Sequence, residues 1–427
     1  MTTDTQLLER RYRLLGAGAP LFYNEPVHIV RGEGVWLYDA DGKKYLDVYN
    51  NVPNVGHCHP RVVEALYKQS QTLNVHNRYL HELVVEYAER LTALHDDPLS
   101  MAFIVCTGSE ANEIALRMAR QATGNQGIIC TNCAYHGNTT AVDELATYFH
   151  GGTSPSPNVK AVPFPESYRP IEGLAGEALA AAYAEKVKQA IDEFEEEGIG
   201  CAGMLICTLF SGEGLPDVPP GYMEQAIGHV RAAGGLYMAD EVQAGFARSG
   251  RKMWGYQLHG VTPDIATMGK PMGNGHPLAG VVARADLVNG FREQVMYFNT
   301  FGGNPVQCAV GMAVLDVIEQ ENLQENSLVV GEYIRDGLRA LQSEYELIGD
   351  VRGHGLFNGV ELVTDREART PARAEAKAIA NAMKDKGVLI SNIGMYDNVL
   401  KMRPPLPFSK DNADLLLSVL EDVLAHA

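Results

Sequence analysis

The apolar residues of the chain fall mainly into short runs separated by longer amphipathic stretches. The runs at 101–106, 127–130 and 203–207 are bounded by glycine or polar residues, a pattern typical of buried strands in a parallel sheet. The stretch at 111–121 instead places apolar residues at helical spacing, and a long, charge-rich helix is predicted at 177–197. Strands that alternate with helices in this way predict an α/β fold with a mostly parallel sheet.

Elements near the two ends of the chain do not follow this alternation. Residues 1–30 predict a helical arm followed by an extended segment, and the Asp41-Gly42 turn between two apolar runs predicts a hairpin. Strands are predicted at 355–363, 388–393 and 399–402, with helices between and after them. This C-terminal part therefore reads as a small α+β domain.

The length of 427 residues exceeds one ordinary core, so we expect a large domain and a smaller one. A long helix is predicted from about residue 306, with a break at 320–327 before it continues towards residue 341. The domain boundary is placed in that helix. The prediction is an N-terminal arm and hairpin at 1–60 that joins the small domain, a large domain at 61–325 and the small domain at 326–427.

Composition narrows the class of protein. The formal net charge of −18 disfavours nucleic acid and anionic membranes as partners, because both bind positive surfaces. No apolar run approaches the roughly 20 residues needed to span a bilayer, and the N-terminus has no apolar core of signal-peptide type, so a cytoplasmic location is expected. Seven scattered cysteines do not form a disulfide framework.

Charged side chains follow two of the predicted strands directly. The apolar run at 236–239 ends in Asp240 and Glu241, and the run at 265–268 ends in Gly269 and Lys270. Ligands of parallel sheets bind beyond the carboxyl ends of the strands, so these groups are placed at a ligand-binding edge. A partly desolvated lysine there is a candidate for Schiff-base chemistry, although such residues are also common in solvated loops.

A third strand end carries a candidate phosphate site. Gly108 and Ser109 lie between the apolar run at 101–106 and the helix that follows, which Gly124 is expected to end. This arrangement directs backbone N–H groups and the helix dipole at a phosphate, although many helices begin this way without one. Together with Asp240, Lys270 and an aromatic residue near another strand end, Tyr135, these residues meet the requirements of pyridoxal 5′-phosphate.

The motifs together resemble those of the class III (ω-type) aminotransferases, which are fold-type I pyridoxal-phosphate enzymes. The resemblance extends from about residue 23 to the C-terminus. It implies a large cofactor-binding α/β domain, a small domain and a homodimer with shared active sites. The motifs that carry it are GHCHP at 56–60, GSEANE at 108–113, AYHG at 134–137, ADEVQAGFARSG at 239–250, MGKPMGNGHP at 268–277, NTFGGNP at 299–305 and LKMRPP at 400–405.

The resemblance also implies a role for each matched residue around the cofactor. These residues are Gly108 and Ser109 at the phosphate, Tyr135 and Val242 against the ring, Asp240 at the pyridine nitrogen, Gln243 near the phenolic oxygen, Lys270 on the aldehyde, and Thr300 at the phosphate of the other subunit. Glu241 has no matched catalytic role and is interpreted as structural.

Within this family the chain is most similar to ethanolamine-phosphate phospho-lyases and mitochondrial alanine–glyoxylate aminotransferases. Arg403 stands where the vertebrate phospho-lyases have lysine, and it could bind the carboxylate or the phosphate of a substrate. The favoured reaction on a small primary amine is elimination of phosphate from O-phosphoethanolamine, which gives acetaldehyde, ammonia and phosphate. The alternative is transfer of the amino group to a keto acid such as pyruvate or glyoxylate.

Other signals are weaker. Cys130 and Cys133 have metal-ligand spacing but lack a second pair, so no metal site is predicted. The glycines at 273 and 275 do not lie between an early strand and a helix, which disfavours a nicotinamide-binding oxidoreductase. A binding protein of this fold without activity would leave the intact acid and lysine unexplained.

Overall fold

The computed structural model describes residues 4–426, so the first three residues of the predicted arm and the last residue of the predicted small domain lie outside it. The strands are Ile29–Glu33 (β1), Trp36–Asp39 (β2), Lys44–Asp47 (β3), Leu99–Val105 (β4), Gly127–Thr131 (β5), Val159–Val162 (β6), Cys201–Cys207 (β7), Leu236–Asp240 (β8), Ile265–Met268 (β9), Ala279–Arg284 (β10), Ile348–His354 (β11), Phe357–Asp365 (β12), Thr370–Pro371 (β13), Val388–Leu389 (β14), Ser391–Ile393 (β15) and Val399–Met402 (β16).

The helices alternate with the strands through the middle of the chain. They are Asp4–Leu15 (α1), Pro60–Thr72 (α2), Glu82–Thr92 (α3), Gly108–Thr123 (α4), Thr140–Asp143 (α5), Gly176–Glu196 (α6), Tyr222–Ala232 (α7), Ala285–Gln294 (α8), Pro305–Gln320 (α9), Leu323–Glu344 (α10), Arg373–Asp385 (α11) and Lys410–Leu424 (α12). Short 3₁₀ helices lie at Ile171–Gly173, Tyr256–Leu258 and Lys270–Gly273. Within residues 4–426, no helix combines the length and apolar character needed to cross a bilayer.

A seven-stranded sheet with the order β4-β10-β9-β8-β7-β5-β6 forms the centre of the molecule. Strands β5 to β9 pair in parallel, and β10 alone runs antiparallel to both of its neighbours, β4 and β9. Consecutive residues of β7 alternate between two apolar cores, with Met204 and Ile206 in one and Leu205 in the other. The sheet is therefore buried on both faces, which confirms the α/β prediction and explains why its strands read as continuous apolar runs.

Two smaller sheets lie outside this centre. One has the order β1-β2-β3-β14, in which β3 pairs in parallel with β14 of the C-terminal part. The other is built on β11-β12-β16-β15. The pairing of β3 with β14 joins the N-terminal segment to the C-terminal part, as predicted. The boundaries at 60 and 325 remain predictions.

Several elements differ from those that the sequence predicted. The break between α9 and α10 is confined to residues 321–322, where Asn322 adopts a left-handed conformation, and does not extend over 320–327. The predicted strand at 388–393 is two strands that belong to different sheets. Strand β11 was not predicted because its sequence, IGDVRGH, contains two glycines and three charged or polar residues and so has no apolar run.

Candidate active site

One cavity of about 110 Å³ lies beyond the carboxyl ends of β7 and β8, between the start of α4 and the connection from β9 to β10. It brings together seven of the residues that the sequence singled out. The cavity is lined by Gly108, Ser109, Tyr135, His136, Gly137, Cys207, Asp240, Val242, Gln243 and Lys270. The edge of the sheet therefore presents an acid, an amine and a helix N-terminus to a single space.

Lys270 lies on the short connection that reverses the chain between β9 and β10. Because β9 and β10 are antiparallel neighbours, residues 269–278 join them through the 3₁₀ helix Lys270–Gly273 without a crossover α-helix, and the lysine lies at the rim of the sheet. Its φ of 32° is a left-handed conformation that costs a non-glycine residue about 1–3 kcal/mol. Burial, reinforced by Arg403 and opposed by Asp240, lowers the pKa of Lys270, which favours a neutral, nucleophilic amine.

Asp240 ends β8 with only 4% of its surface exposed, and its carboxylate is surrounded by donors. Oδ2 lies 2.6 Å from Nδ1 of His136 and accepts a hydrogen bond from Asn112 at 3.1 Å. Oδ1 accepts one from the backbone N–H of Val242 at 2.9 Å. Thr267 donates to the Asn112 oxygen at 2.6 Å, so the asparagine amide is oriented with its nitrogen towards Asp240. These contacts stabilise a buried carboxylate in one position.

His136 and Asn112 are site residues that sequence reasoning missed. Both lie inside motifs that carried the resemblance, AYHG and GSEANE, and the position of His136 directly after Tyr135 was the signal available. The histidine Nε2 is buried and has no hydrogen-bond partner within residues 4–426. Cys207, a buried free thiol at the end of β7, was also missed as part of the cavity.

The N-terminus of α4 forms an anion site. The Thr107 hydroxyl accepts a hydrogen bond from the N–H of Glu110, and the Glu110 side chain accepts one from the N–H of Thr107. In the described part of the chain, the N–H groups of Gly108 and Ser109 donate no hydrogen bond. These two donors and the helix dipole face the cavity, as a phosphate requires.

Two glycines create the space in front of this helix terminus. A Cβ at Gly108 would lie 3.1 Å from Val242, and a Cβ at Gly137 would lie 2.5 Å from the Ser109 hydroxyl oxygen. Gly137 also has a φ of 146°, which side-chain-bearing residues rarely adopt. Larger residues at either position would fill the space against the helix N-terminus.

Gln243 connects the cavity to the buried side chains of Lys401 and Arg403. Its side-chain oxygen accepts hydrogen bonds from Lys401 at 3.2 Å and from Nη1 of Arg403. Nε of Arg403 donates to the Tyr49 carbonyl at 2.8 Å, and the guanidinium lies 4.5 Å from the centre of the Tyr49 ring. Burial lowers the pKa of Arg403. Sequence reasoning found Arg403 but missed Lys401.

Thr300 does not line the cavity of its own chain. It is exposed, in the connection between α8 and α9. The role inferred for it, at the phosphate of a second subunit, remains a prediction. Glu241 is fully buried and accepts hydrogen bonds from Thr208 and from the backbone N–H groups of Gly255 and Tyr256, which agrees with a structural role.

The residues present fit pyridoxal phosphate. N–H groups without an acceptor at a helix terminus suit its phosphate, the two glycines keep side chains out of the space in front of them, and a buried aspartate suits a protonated pyridine nitrogen. A lysine with a lowered pKa suits its aldehyde. The fold and the site together define a pyridoxal-phosphate enzyme of fold type I.

Comparison with known proteins identifies the family. The model of the family Aminotransferase class-III matches residues 21–424, and the chain belongs to this family. An alanine–glyoxylate aminotransferase 2-like protein of Drosophila melanogaster is 41% identical over 100% of this chain and 90% of its own length. An ethanolamine-phosphate phospho-lyase homologue of Caenorhabditis elegans is 39% identical over 98% of this chain and 93% of its own.

A solved structure is also similar to this chain over its whole length. A phospholyase from Arthrobacter in complex with phosphoethanolamine superposes with a TM-score of 0.95 and is 47% identical, with 99% of this chain and 100% of that chain covered. The relatives therefore include both phospho-lyases and aminotransferases.

Proposed function

We propose that the protein binds pyridoxal phosphate in this cavity and eliminates phosphate from O-phosphoethanolamine, giving acetaldehyde, ammonia and phosphate. The observation that carries the choice of substrate is the buried guanidinium of Arg403, which Tyr49 and Gln243 hold beside the cavity. A small amine that carries a doubly charged phosphate complements this local field better than a neutral amine does. The similarity to a phospholyase over the whole chain supports the same substrate.

Each residue of the site has a part in this reaction. When bound, the cofactor supplies an electron sink for negative charge on the amine-bearing carbon of the substrate. Gly108 and Ser109 would hold its phosphate through backbone N–H groups, and Asp240 would accept a hydrogen bond from its protonated ring nitrogen. Asn112 and His136 keep the Asp240 carboxylate in place.

Lys270 is the base. Its Nζ, whose pKa is lowered by burial, takes a proton from the amine-bearing carbon. If the neighbouring carbon carries a phosphate, the electron pair left behind expels it, and elimination results. If there is no such leaving group, Lys270 returns the proton at another position, and amino transfer results. The same side chains therefore serve both reactions, and the substrate decides between them.

Arg403 is the proposed contact for the substrate phosphate. Its Nε and Nη1 are held by Tyr49 and Gln243, while Nη2 has no hydrogen-bond partner within residues 4–426. A guanidinium anchored on one side and free on the other can bind an anion without losing its orientation.

The decisive assay supplies phosphoethanolamine and pyridoxal phosphate without any keto acid. Release of phosphate, ammonia and acetaldehyde in equal amounts is expected. Turnover that requires an amine donor together with pyruvate or glyoxylate would instead establish the aminotransferase alternative. The similarity to the alanine–glyoxylate aminotransferase 2-like protein of Drosophila melanogaster supports this alternative. Lys270→Ala is the negative control for either reaction.

A homodimer with shared sites completes the proposal. Around Thr300 the surface exposes large apolar side chains, with Met296 84% exposed and Phe301 69% exposed, which is typical of surface that a partner covers. Subunit mixing tests the assignment of Thr300. Lys270→Ala and Thr300→Ala chains, each impaired alone, should regain activity when they are mixed, because one site then combines an intact Lys270 with the partner's intact threonine. No recovery in verified mixed dimers would contradict it.

A further inference from the structure

The orientation of the Gln243 amide is determined by its two neighbours. The Arg403 guanidinium has only donors, so the amide oxygen must face it, and Lys401 donates to the same oxygen at 3.2 Å. The amide nitrogen consequently points away from them. Gln243 lines the cavity, and nothing within residues 4–426 accepts a hydrogen bond from this nitrogen. A pair of N–H donors is therefore free on the cavity side.

Lys401 and Arg403 both reach Gln243 because they lie two residues apart in the chain. Lys401 belongs to β16 and Arg403 follows that strand directly, so their side chains lie on the same face. Lys401 also donates to the Ser211 carbonyl at 2.8 Å and lies 5.4 Å from the centre of the Phe357 ring. It is only 3% exposed, so its ammonium group is held from several sides.

We propose that Lys401 is a positioning residue that holds the Gln243 amide with its NH₂ group towards the cofactor. This inference depends on the proposed binding of pyridoxal phosphate. Arg403 shares the contact but has an Nη2 without a hydrogen-bond partner within residues 4–426, whereas the ammonium group of Lys401 is enclosed by Gln243, the Ser211 carbonyl and the Phe357 ring. Lys401 can therefore serve the amide alone, while Arg403 also binds the substrate.

The hydrogen bond to Gln243 does not require a charged lysine. Burial, reinforced by Arg403, lowers the pKa of Lys401 well below its usual value. A neutral amine still donates, so the glutamine oxygen keeps its partner in either protonation state.

The test is a double-mutant cycle read on the cofactor rather than on turnover. Apo forms of wild type, Lys401→Met, Gln243→Leu and the double variant are titrated with pyridoxal phosphate, and the pH midpoint of the visible band of each complex is measured. Lys401→Met is expected to weaken binding roughly tenfold and to move the midpoint in the same direction as Gln243→Leu. The double variant should resemble Gln243→Leu alone, because the lysine acts through the glutamine.

Two further variants separate positioning from general stability. Lys384→Met removes another buried lysine, which pairs with Asp385 in α11, and should leave both cofactor readouts unchanged. Lys401→Gln retains a donor, so its cofactor affinity should lie closer to wild type, and it replaces the methionine variant if that variant does not fold. A wild-type midpoint in Lys401→Met, or additive effects in the double variant, would overturn the inference. Failure of wild type to bind the cofactor would instead overturn the proposed function.

Discussion

Nδ1 of His136 lies 2.6 Å from Oδ2 of Asp240, and both side chains are buried at the floor of the cavity. The pair joins the end of β8 to the segment that follows β5, and β7 lies between these two strands in the sheet. The aspartate therefore depends for its orientation on a residue from another part of the chain.

Loss of this contact should reduce activity without loss of the fold. His136→Phe removes a donor to a buried carboxylate, and a loss of about 1.5–3 kcal/mol corresponds to a decrease in kcat/KM for phosphoethanolamine of roughly ten- to a hundredfold. Steady-state kinetics and circular dichroism measure the two effects. His259→Phe, at a histidine that contacts the Thr208 carbonyl, is the matched control. Equal kinetics for His136→Phe and wild type would show that the pair has no role.

Replacement of Lys270 should abolish the covalent attachment of the cofactor. Lys270→Ala is expected to lack the visible band of lysine-bound pyridoxal phosphate and to lose at least 10²–10⁴-fold in turnover, the usual contribution of a general base. Absorbance spectra and single-turnover assays test this. A variant that kept both the band and the turnover would place the reactive amine elsewhere.

The lowered pKa of Lys270 also predicts how the stability of the apo protein varies with pH. Below the folded-state pKa, the folded protein bears the full cost of a buried charged lysine, and this cost disappears as pH rises through that pKa towards about 10.5. Lys270→Met should therefore stabilise the apo protein most below that pKa, and the gain should shrink as pH rises towards about 10.5. Lys377→Met, at an exposed lysine of α11, should show no such trend in denaturant titrations.

Alanine at Gly137 should impair cofactor binding. The new Cβ would lie 2.5 Å from the Ser109 hydroxyl oxygen, so the residues at the phosphate must move. We expect apo Gly137→Ala to bind pyridoxal phosphate at least tenfold more weakly than wild type. Gly151→Ala is the control, because Gly151 also has a positive φ but its Cβ would meet nothing within 4 Å. Similar affinities in the two variants would show that the residues at the phosphate accommodate the added Cβ.

Arg403 should distinguish charged from neutral substrates. Arg403→Ala is expected to raise KM for phosphoethanolamine by ten- to a hundredfold, the value of a charge-assisted hydrogen bond, while a neutral amine in an amino-transfer assay should be affected far less. Parallel kinetics with the two substrates decide the point. Equal increases would mean that the arginine acts only through Gln243.

Much of the architecture could be predicted because strands buried on both faces leave a clear signal. The runs that became β5, β7 and β8 are apolar throughout, and Pro60 and Gly124 mark helix ends by their own backbone preferences. Strand β11, which was missed, lacks such a run. It is a strand because its backbone pairs with β12, and its composition does not indicate this pairing. The antiparallel direction of β10 depends on the short link that carries Lys270, which an apolar run cannot reveal.

The residues of the site also fall into those that the sequence indicated and those that only the tertiary structure revealed. The sequence was sufficient to indicate Asp240, Lys270 and the helix start at Gly108, because each follows a strand directly and parallel strands end at one edge. Only the tertiary structure added Lys401 and His136. A lysine within Val-Leu-Lys-Met and a histidine in a loop have no local pattern that distinguishes buried from exposed. Their burial, and hence their contacts with Gln243 and Asp240, arises when distant segments pack together, since hydrogen bonds between such segments follow from the fold rather than from spacing along the chain.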